Sequence, residues 1–320
     1  MIPRALAAAV LFSALVRPQQ PPNPSPPPPV QTEEASQQPV AEREVAALVN
    51  TGLPMRVAYD CTEEDIRVSG ISCTIEDPCP IYLELSAVEP VGIKLFISGN
   101  IHTSSATLYS VLLASEDGGK TWIERFERIR FGVLDQIQFL DFETGWVGGQ
   151  VVHPLGRDPF LLLTTDGGRN WKQRQVFEES RIGVIERFWF DSRTTGSLWL
   201  DRRHSGEPEA QYERYETATG GESWMLREVS SRPIPVKVSR AALSAPDWRL
   251  LADEKSTAYL LEKRHGETWQ TVASFLIPIG QCRPEEKPLT ERQPEPAQPP
   301  AEQTTPPPAR PSPPLKPKPA

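Results

Sequence analysis

"SEDGGKTW" (residues 115–122) is a polar turn between an apolar run and a tryptophan, and forty-nine residues later the chain reads "TTDGGRNW" (164–171). Weaker forms follow as "TATGGESW" (217–224) and "EKRHGETW" (262–269). Each turn is preceded by a strand-like run ("SVLLA", "FLLLT", "YERYE" and "AYLLE"), and another strand begins at its tryptophan. Trp122, Trp171, Trp224 and Trp269 are separated by 49, 53 and 45 residues.

The periodicity extends upstream. "LFISGN" (95–100), "WVGGQ" (146–150) and "SLWLD" (197–201) hold one phase. One step earlier lie "QIQFLDFETGW" (136–146) and "ERFWFDSRTTGS" (186–197). Runs of four to eight residues rich in Val, Ile, Leu and Tyr, bounded by Gly, Asp, Asn or Ser, read as strands. Each unit thus holds four short strands, with the turn between the third and fourth. A lone meander of that size has two open faces, so the units must pack on one another. The expected fold is all-β, a β-propeller of four-stranded antiparallel blades, with units beginning near Ile81, Gln136, Val184 and Val236. Residues 53–80 can complete the last blade or add another, which leaves four or five blades.

The turn has a physical logic. Glycine permits positive φ at no steric cost, the aspartate can accept backbone N–H groups within the turn, and the tryptophan offers a large surface for wedging one sheet against the next. The motif resembles the Asp-box, or BNR repeat, of sialidases and of many non-enzymatic secreted propellers. The wider pattern is similar to the photosystem II assembly-factor-like BNR group. The resemblance covers roughly residues 81–275. It implies structural roles for Ser115, Asp117, Gly119, Thr121, Trp122, Thr164, Asp166, Gly168, Asn170 and Trp171, and for Gly221, Trp224, Gly266 and Trp269 in the degenerate turns. Thr219 and Arg264 stand where Asp is expected, so those two turns should be looser.

The family resemblance points to assembly or scaffolding. Glycosidase chemistry needs two carboxylates facing one sugar, whereas each box aspartate belongs to its own turn. A sialidase would add an arginine cluster for the substrate carboxylate and an arginine motif ahead of the boxes; "SRPIP" (231–235) comes late and does not match. The acidic turns lack the spacing that wraps calcium. The expectation is a non-enzymatic binding module without cofactor or metal, a monomer whose partner is a protein or an envelope polymer. A secreted carbohydrate-active enzyme is the alternative. A net charge of −8 with no basic stripe in the central region argues against nucleic acid.

Three histidines, His102, His153 and His204, lie 51 residues apart, each in a link between second and third strands. Those links share the end of the propeller opposite the boxes, with Arg157, Asp158, Arg202 and Arg203. That rim is the expected partner face.

The ends of the chain differ in kind. Residues 1–16 pair one arginine with the apolar run Ala5–Val16, which suits a secretory signal; an uncleaved anchor is the alternative. The mature chain is then expected to have no membrane span and to be secreted or periplasmic. Residues 17–39 and 284–320 are proline-rich and too poor in large apolar groups to offset ordering entropy, so they read as disordered spacers. Residues 40–52 read as a short helix, and 53–283 as the propeller. Cys61, Cys73, Cys79 and Cys282 suit disulfides in an oxidising compartment; three pairings are open, and Cys-x11-Cys-x5-Cys lacks the close pair of a zinc site.

Overall fold

The computed structural model describes residues 47–236 and 247–285. The expected signal, both proline-rich segments beyond Glu285 and before Ala47, and residues 237–246 lie outside the described residues. The elements, in order, are β1 (Leu48–Val49), α1 (Glu63–Ser69), β2 (Cys79–Val91), β3 (Lys94–His102), β4 (Thr107–Ser115), β5 (Thr121–Glu124), β6 (Gly132–Phe139), β7 (Gly145–Val151) and β8 (Arg157–Thr164). They continue as β9 (Lys172–Gln175), β10 (Val184–Phe190), β11 (Gly196–Asp201), β12 (Tyr212–Thr217), β13 (Met225–Ser230), β14 (Trp248–Asp253), β15 (Ala258–His265), β16 (Thr268–Leu276) and β17 (Pro278–Cys282).

These strands form four antiparallel sheets: β2–β5 in meander order with β1 added beside β5 and β17 beside β2, then the meanders β6–β9, β10–β13 and β14–β16. We call them blades one to four. The first strand of each of the first three blades carries a bulge at one phase, after Leu85, Leu134 and Ile185. The expected first strand of the fourth unit falls on residues outside those described.

Alternation within the strands gives the blades apolar faces, which are buried together at three seams. Leu83, Ile97, Val111, Leu113 and Trp122 of blade one join Leu261, Ala273 and Phe275 of blade four. The opposite face of blade one, with Phe96, Leu112 and Ala114, meets Leu134, Val147, Phe160 and Trp171 of blade two. Blade two then presents Trp146 and Leu161 to Phe188, Phe190, Leu198 and Tyr215 of blade three.

The segment before blade one departs from the sequence reading in one way and, in another, follows the first of its two alternatives. Of the helix expected over 40–52, residues 40–46 lie outside the described residues; in the remainder Leu48–Val49 form β1, which pairs antiparallel with Trp122 and Thr121 on the outer edge of β5. Unpaired edge N–H and C=O groups of β5 outweigh the weak intrinsic preference of a short apolar segment for helix. Residues 53–78 do not make a further blade. Met55 instead makes a parallel bridge to Phe275 on β16, so the start of the domain extends its last sheet.

A helix appears where the sequence suggested none. α1 is seven residues long and begins with a capping box: the Thr62 side chain accepts Asp65 N–H while Asp65 accepts Thr62 N–H. Gly70 ends it in the left-handed conformation. Disulfides Cys61–Cys282 and Cys73–Cys79 hold this segment, the first joining it to β17, which pairs with the start of β2. Tyr109, in β4 near the link from β3, donates to Asp65 at 2.7 Å and Tyr59 donates to the same carboxylate at 3.0 Å. The box-free end of blade one is therefore covered by a clasped helical segment.

Candidate functional site

The repeated turns come first because they fix where ionisable groups are free. In blade one, Asp117 Oδ1 accepts the backbone N–H of Lys120 at 3.0 Å and of Thr121 at 2.9 Å, and the Ser115 hydroxyl at 2.8 Å. Its Oδ2 accepts the Thr121 hydroxyl at 2.7 Å. Blade two repeats the set: Asp166 accepts Arg169 and Asn170 N–H, the Thr164 hydroxyl and the Asn170 amide at 2.7–3.0 Å. The Thr121 backbone and hydroxyl hold the Asp117 carboxyl down to about 2. Burial pushes Asp166 up, but the Asn170 bonds with those of Thr164 and Arg169 outweigh it and hold it at about 2. Gly118, Gly119, Gly167 and Gly168 all have positive φ.

Trp122 and Trp171 occupy equivalent places in neighbouring blades. Each indole N–H donates to the second glycine of its own turn at 3.2 Å. Trp122 meets Phe275 of blade four edge-on at 5.3 Å, and Trp171 meets Phe96 of blade one at 6.0 Å. A β-carbon at Gly168 would sit 2.4 Å from the Phe96 ring, so the glycine also permits the approach of one blade to the next.

The degenerate turns differ. In the third, the single Thr219 oxygen accepts Ser223 N–H at 2.9 Å, and Gly221 N–H still bonds Thr217 at 3.1 Å. The buried Trp224 indole N–H finds no acceptor among the described residues. The fourth is a tight hairpin with His265 opposite Thr268. Trp269 belongs to none of the apolar clusters; its ring lies under Arg249 at 4.2 Å and Arg264 at 5.9 Å.

His102 is the last residue of β3, opposite Thr107 of β4, whereas His153 and His204 lie in the links between second and third strands; all three are at the box-free end, each with its own neighbours. His102 Nδ1 meets Thr103 O at 2.8 Å and its ring lies 5.6 Å from Tyr82. His153 stacks on Phe131 at 4.5 Å, and His204 lies in a short 3-10 turn, Arg203–Ser205. Among the described residues no three His, Cys, Asp or Glu side chains are grouped to hold a metal ion.

Arg202, expected on the exposed rim with the histidines, is turned inward. It is 5 % exposed and pairs with the buried Glu213, with a further bond to Ile182 O at 3.1 Å. Arg181 joins from the connector at 2.9 Å to Glu213, while Tyr215 donates to that glutamate at 2.6 Å. The pull of a buried carboxylate outweighs the ordinary tendency of a loop arginine to stay solvated. Asp158 likewise spends Oδ1 on Arg181 N–H at 3.0 Å, with Arg157 3.5 Å away. This cluster ties the blade-two-to-three connector to β12.

Further ionisable groups gather elsewhere, in a cleft of about 240 Å³ between the first strands of blades two and three. It is lined by Asp135, Gln136, Gly148, Ile185, Glu186 and Arg187. Asp135 and Glu186 are the bulged residues of β6 and β10, so the same irregularity turns both carboxylates out of the strand alternation. Asp135 meets solvent, yet desolvation by the cleft walls pushes its carboxyl up; the Gln150 amide, 2.7 Å away, opposes this and the charge of Glu84 adds to it. Sequence inspection missed these residues. The only signal was polar residues inside otherwise apolar first strands, in "LDQIQF" and "IERFWF".

Antiparallel sheets built on meanders of three or four strands, packed face to face, define the class: an all-β chain of β-propeller type. No family model and no curated protein matches the chain. It is similar to the solved structure of YCF48 bound to D1 peptide (18% identity, TM-score 0.32, covering 62% of this chain and 60% of that one). It is also similar to YCF48 from Cyanidioschyzon merolae (19%, 0.32, 61% and 57%) and to a Penicillium chrysogenum alpha-L-arabinanase complexed with arabinobiose (13%, 0.35, 71% and 66%). The chain spans 57–66% of the length of these three proteins. The Asp-box resemblance rests on the residues themselves.

Proposed function

We propose that this chain is an exported, non-enzymatic binding module of the Asp-box type, holding a protein or envelope-polymer partner at its box-free end. One observation carries the reading. The repeated acidic turns spend their carboxylates on their own backbone, whereas Asp135, Glu186 and Arg187 stand in a small mixed-charge cleft that no repeat demands. The first four residues of β10, which supply Ile185, Glu186 and Arg187, lie at the strand's box-free end. A mixed, shallow lining suits a charged segment of a larger partner better than an enclosed small substrate. Two disulfides fit an oxidising compartment, and no helix among the described residues is long and apolar enough to cross a membrane.

The test is retention of envelope components by the immobilised full-length chain, compared with its Glu186→Lys/Arg187→Glu variant. A partner held by the native protein and lost by the variant is the expected result; equal retention refutes the cleft as the site. The second reading, a glycosidase, is favoured by one feature: Asp135, pushed up toward the protonated form, shares the cleft with Glu186, as an acid and a base would. Hydrolysis of aryl glycosides or arabino-oligosaccharides that disappears in Asp135→Asn would move the assignment to that enzyme.

A further inference from the structure

The seams between blades one and two and between blades two and three share one register, with two exchanges of residue. Between blades two and three, Gln138 on β6 makes two backbone bonds to Phe190 on β10: its amide donates to Phe190 O at 2.8 Å and its oxygen accepts Phe190 N–H at 2.8 Å. Gln136 does the same for Phe188, at 2.8 and 3.2 Å. Counting from the bulge that each first strand shares, Ala87 and Glu89 of β2 stand where Gln136 and Gln138 stand in β6, and Phe139 stands where Phe190 does. Alanine bonds nothing. Glu89 accepts Phe139 N–H at 3.3 Å. A carboxylate has no proton to donate to Phe139 O, whereas a carboxylic acid has the same donor-and-acceptor pattern as glutamine.

We propose that Glu89 is a protonation-controlled link between blades one and two: as the acid it can complete both backbone bonds that Gln138 makes at the next seam, and as the carboxylate it keeps one. The charged groups on the surrounding elements are engaged elsewhere. Lys94 of β3 donates to Gly167 O at 2.9 Å, and Asp141 and Glu143 of the β6–β7 turn pair with Arg193. Burial therefore dominates and pushes the Glu89 carboxyl up to about 7, with only the Phe139 N–H opposing it. Because the folded value is raised above the unfolded one, the stability Glu89 contributes is fully present below about 4.5 and is lost as pH rises through about 7. The blade-one-to-two seam loosens on the alkaline side of neutrality; the blade-two-to-three seam, built from amides, does not.

The experiment compares denaturant unfolding of the full chain and Glu89→Gln from pH 5 to pH 8, together with hydrogen exchange at the Phe139 amide. Glutamine is nearly isosteric and matches its neighbour seam, so the variant should fold. The two proteins should have similar unfolding constants at pH 5. At pH 8 the variant should be favoured by at least about tenfold, each pKa unit corresponding to a factor of ten, and Phe139 exchange should accelerate with pH in the native chain beyond its intrinsic dependence. An identical ratio of unfolding constants at both pH values overturns the proposal. So does Phe139 protection that the substitution leaves unchanged at pH 8.

Discussion

Replacing Asp166 with alanine is the sharpest test of the turn chemistry. The carboxylate accepts two backbone N–H groups, one hydroxyl and one amide, all at 2.7–3.0 Å, and all are lost together. Lowering its carboxyl from 3.8 to about 2 corresponds to at most about 2.4 kcal/mol. Solvent reaches this turn, and water replaces part of what the carboxylate supplied, so about half that figure is the working estimate, roughly 1–1.5 kcal/mol. For a domain of this size that is a fall in Tm of about 2–6 °C.

The pH dependence gives the prediction its discrimination. A group held below its ordinary value stabilises above the unfolded pKa, and that contribution fades as pH falls through the folded one. The Tm gap between native chain and Asp166→Ala should therefore be full at pH 6 and narrow steadily between about pH 4 and pH 2. Circular dichroism melts across that range read it directly. A gap that stays constant down to pH 2.5 would mean that the carboxylate's charge is not what pins the turn, and a gap under about 0.3 kcal/mol at pH 6 would mean the turn does not need pinning.

Three further outcomes follow from packing and connectivity. Trp122→Ala should cost about 3–5 kcal/mol, because the side chain is fully buried between blades one and four; Trp269→Ala, which removes a ring held by two arginines outside the apolar clusters, should cost under about 1.5 kcal/mol in the same melts. Cys61→Ser/Cys282→Ser should destabilise more than Cys73→Ser/Cys79→Ser, since the first pair closes 221 residues and the second only 6, and equal losses in urea titration would contradict the loop-closure account. Gln138→Leu should cost about 2–4 kcal/mol by leaving Phe190 N–H and C=O without the Gln138 partner in a buried seam, which amide exchange at Phe190 would register as lost protection.

The amino-acid sequence by itself determined the unit and its repetition. Short apolar runs of period two with glycine-rich breaks dictate strands, and the aspartate, the glycines and the tryptophan of residues 115–122 and 164–171 dictate a self-bonded turn that ends in a wedge. These interactions are local, within about five residues of chain, so a linear reading reaches them. Tertiary structure decided everything that depends on a partner far along the chain. Leu48–Val49 became a strand because β5 offered an open edge; Arg202 went inward because Glu213 was already buried there; Cys61 chose Cys282 because β17 returns beside β2. The cleft was invisible for the same reason. A bulge turns Asp135 and Glu186 aside only where β6 and β10 each pair with the next strand, and the register of that pairing is set by packing across the sheet rather than by the residues on either side.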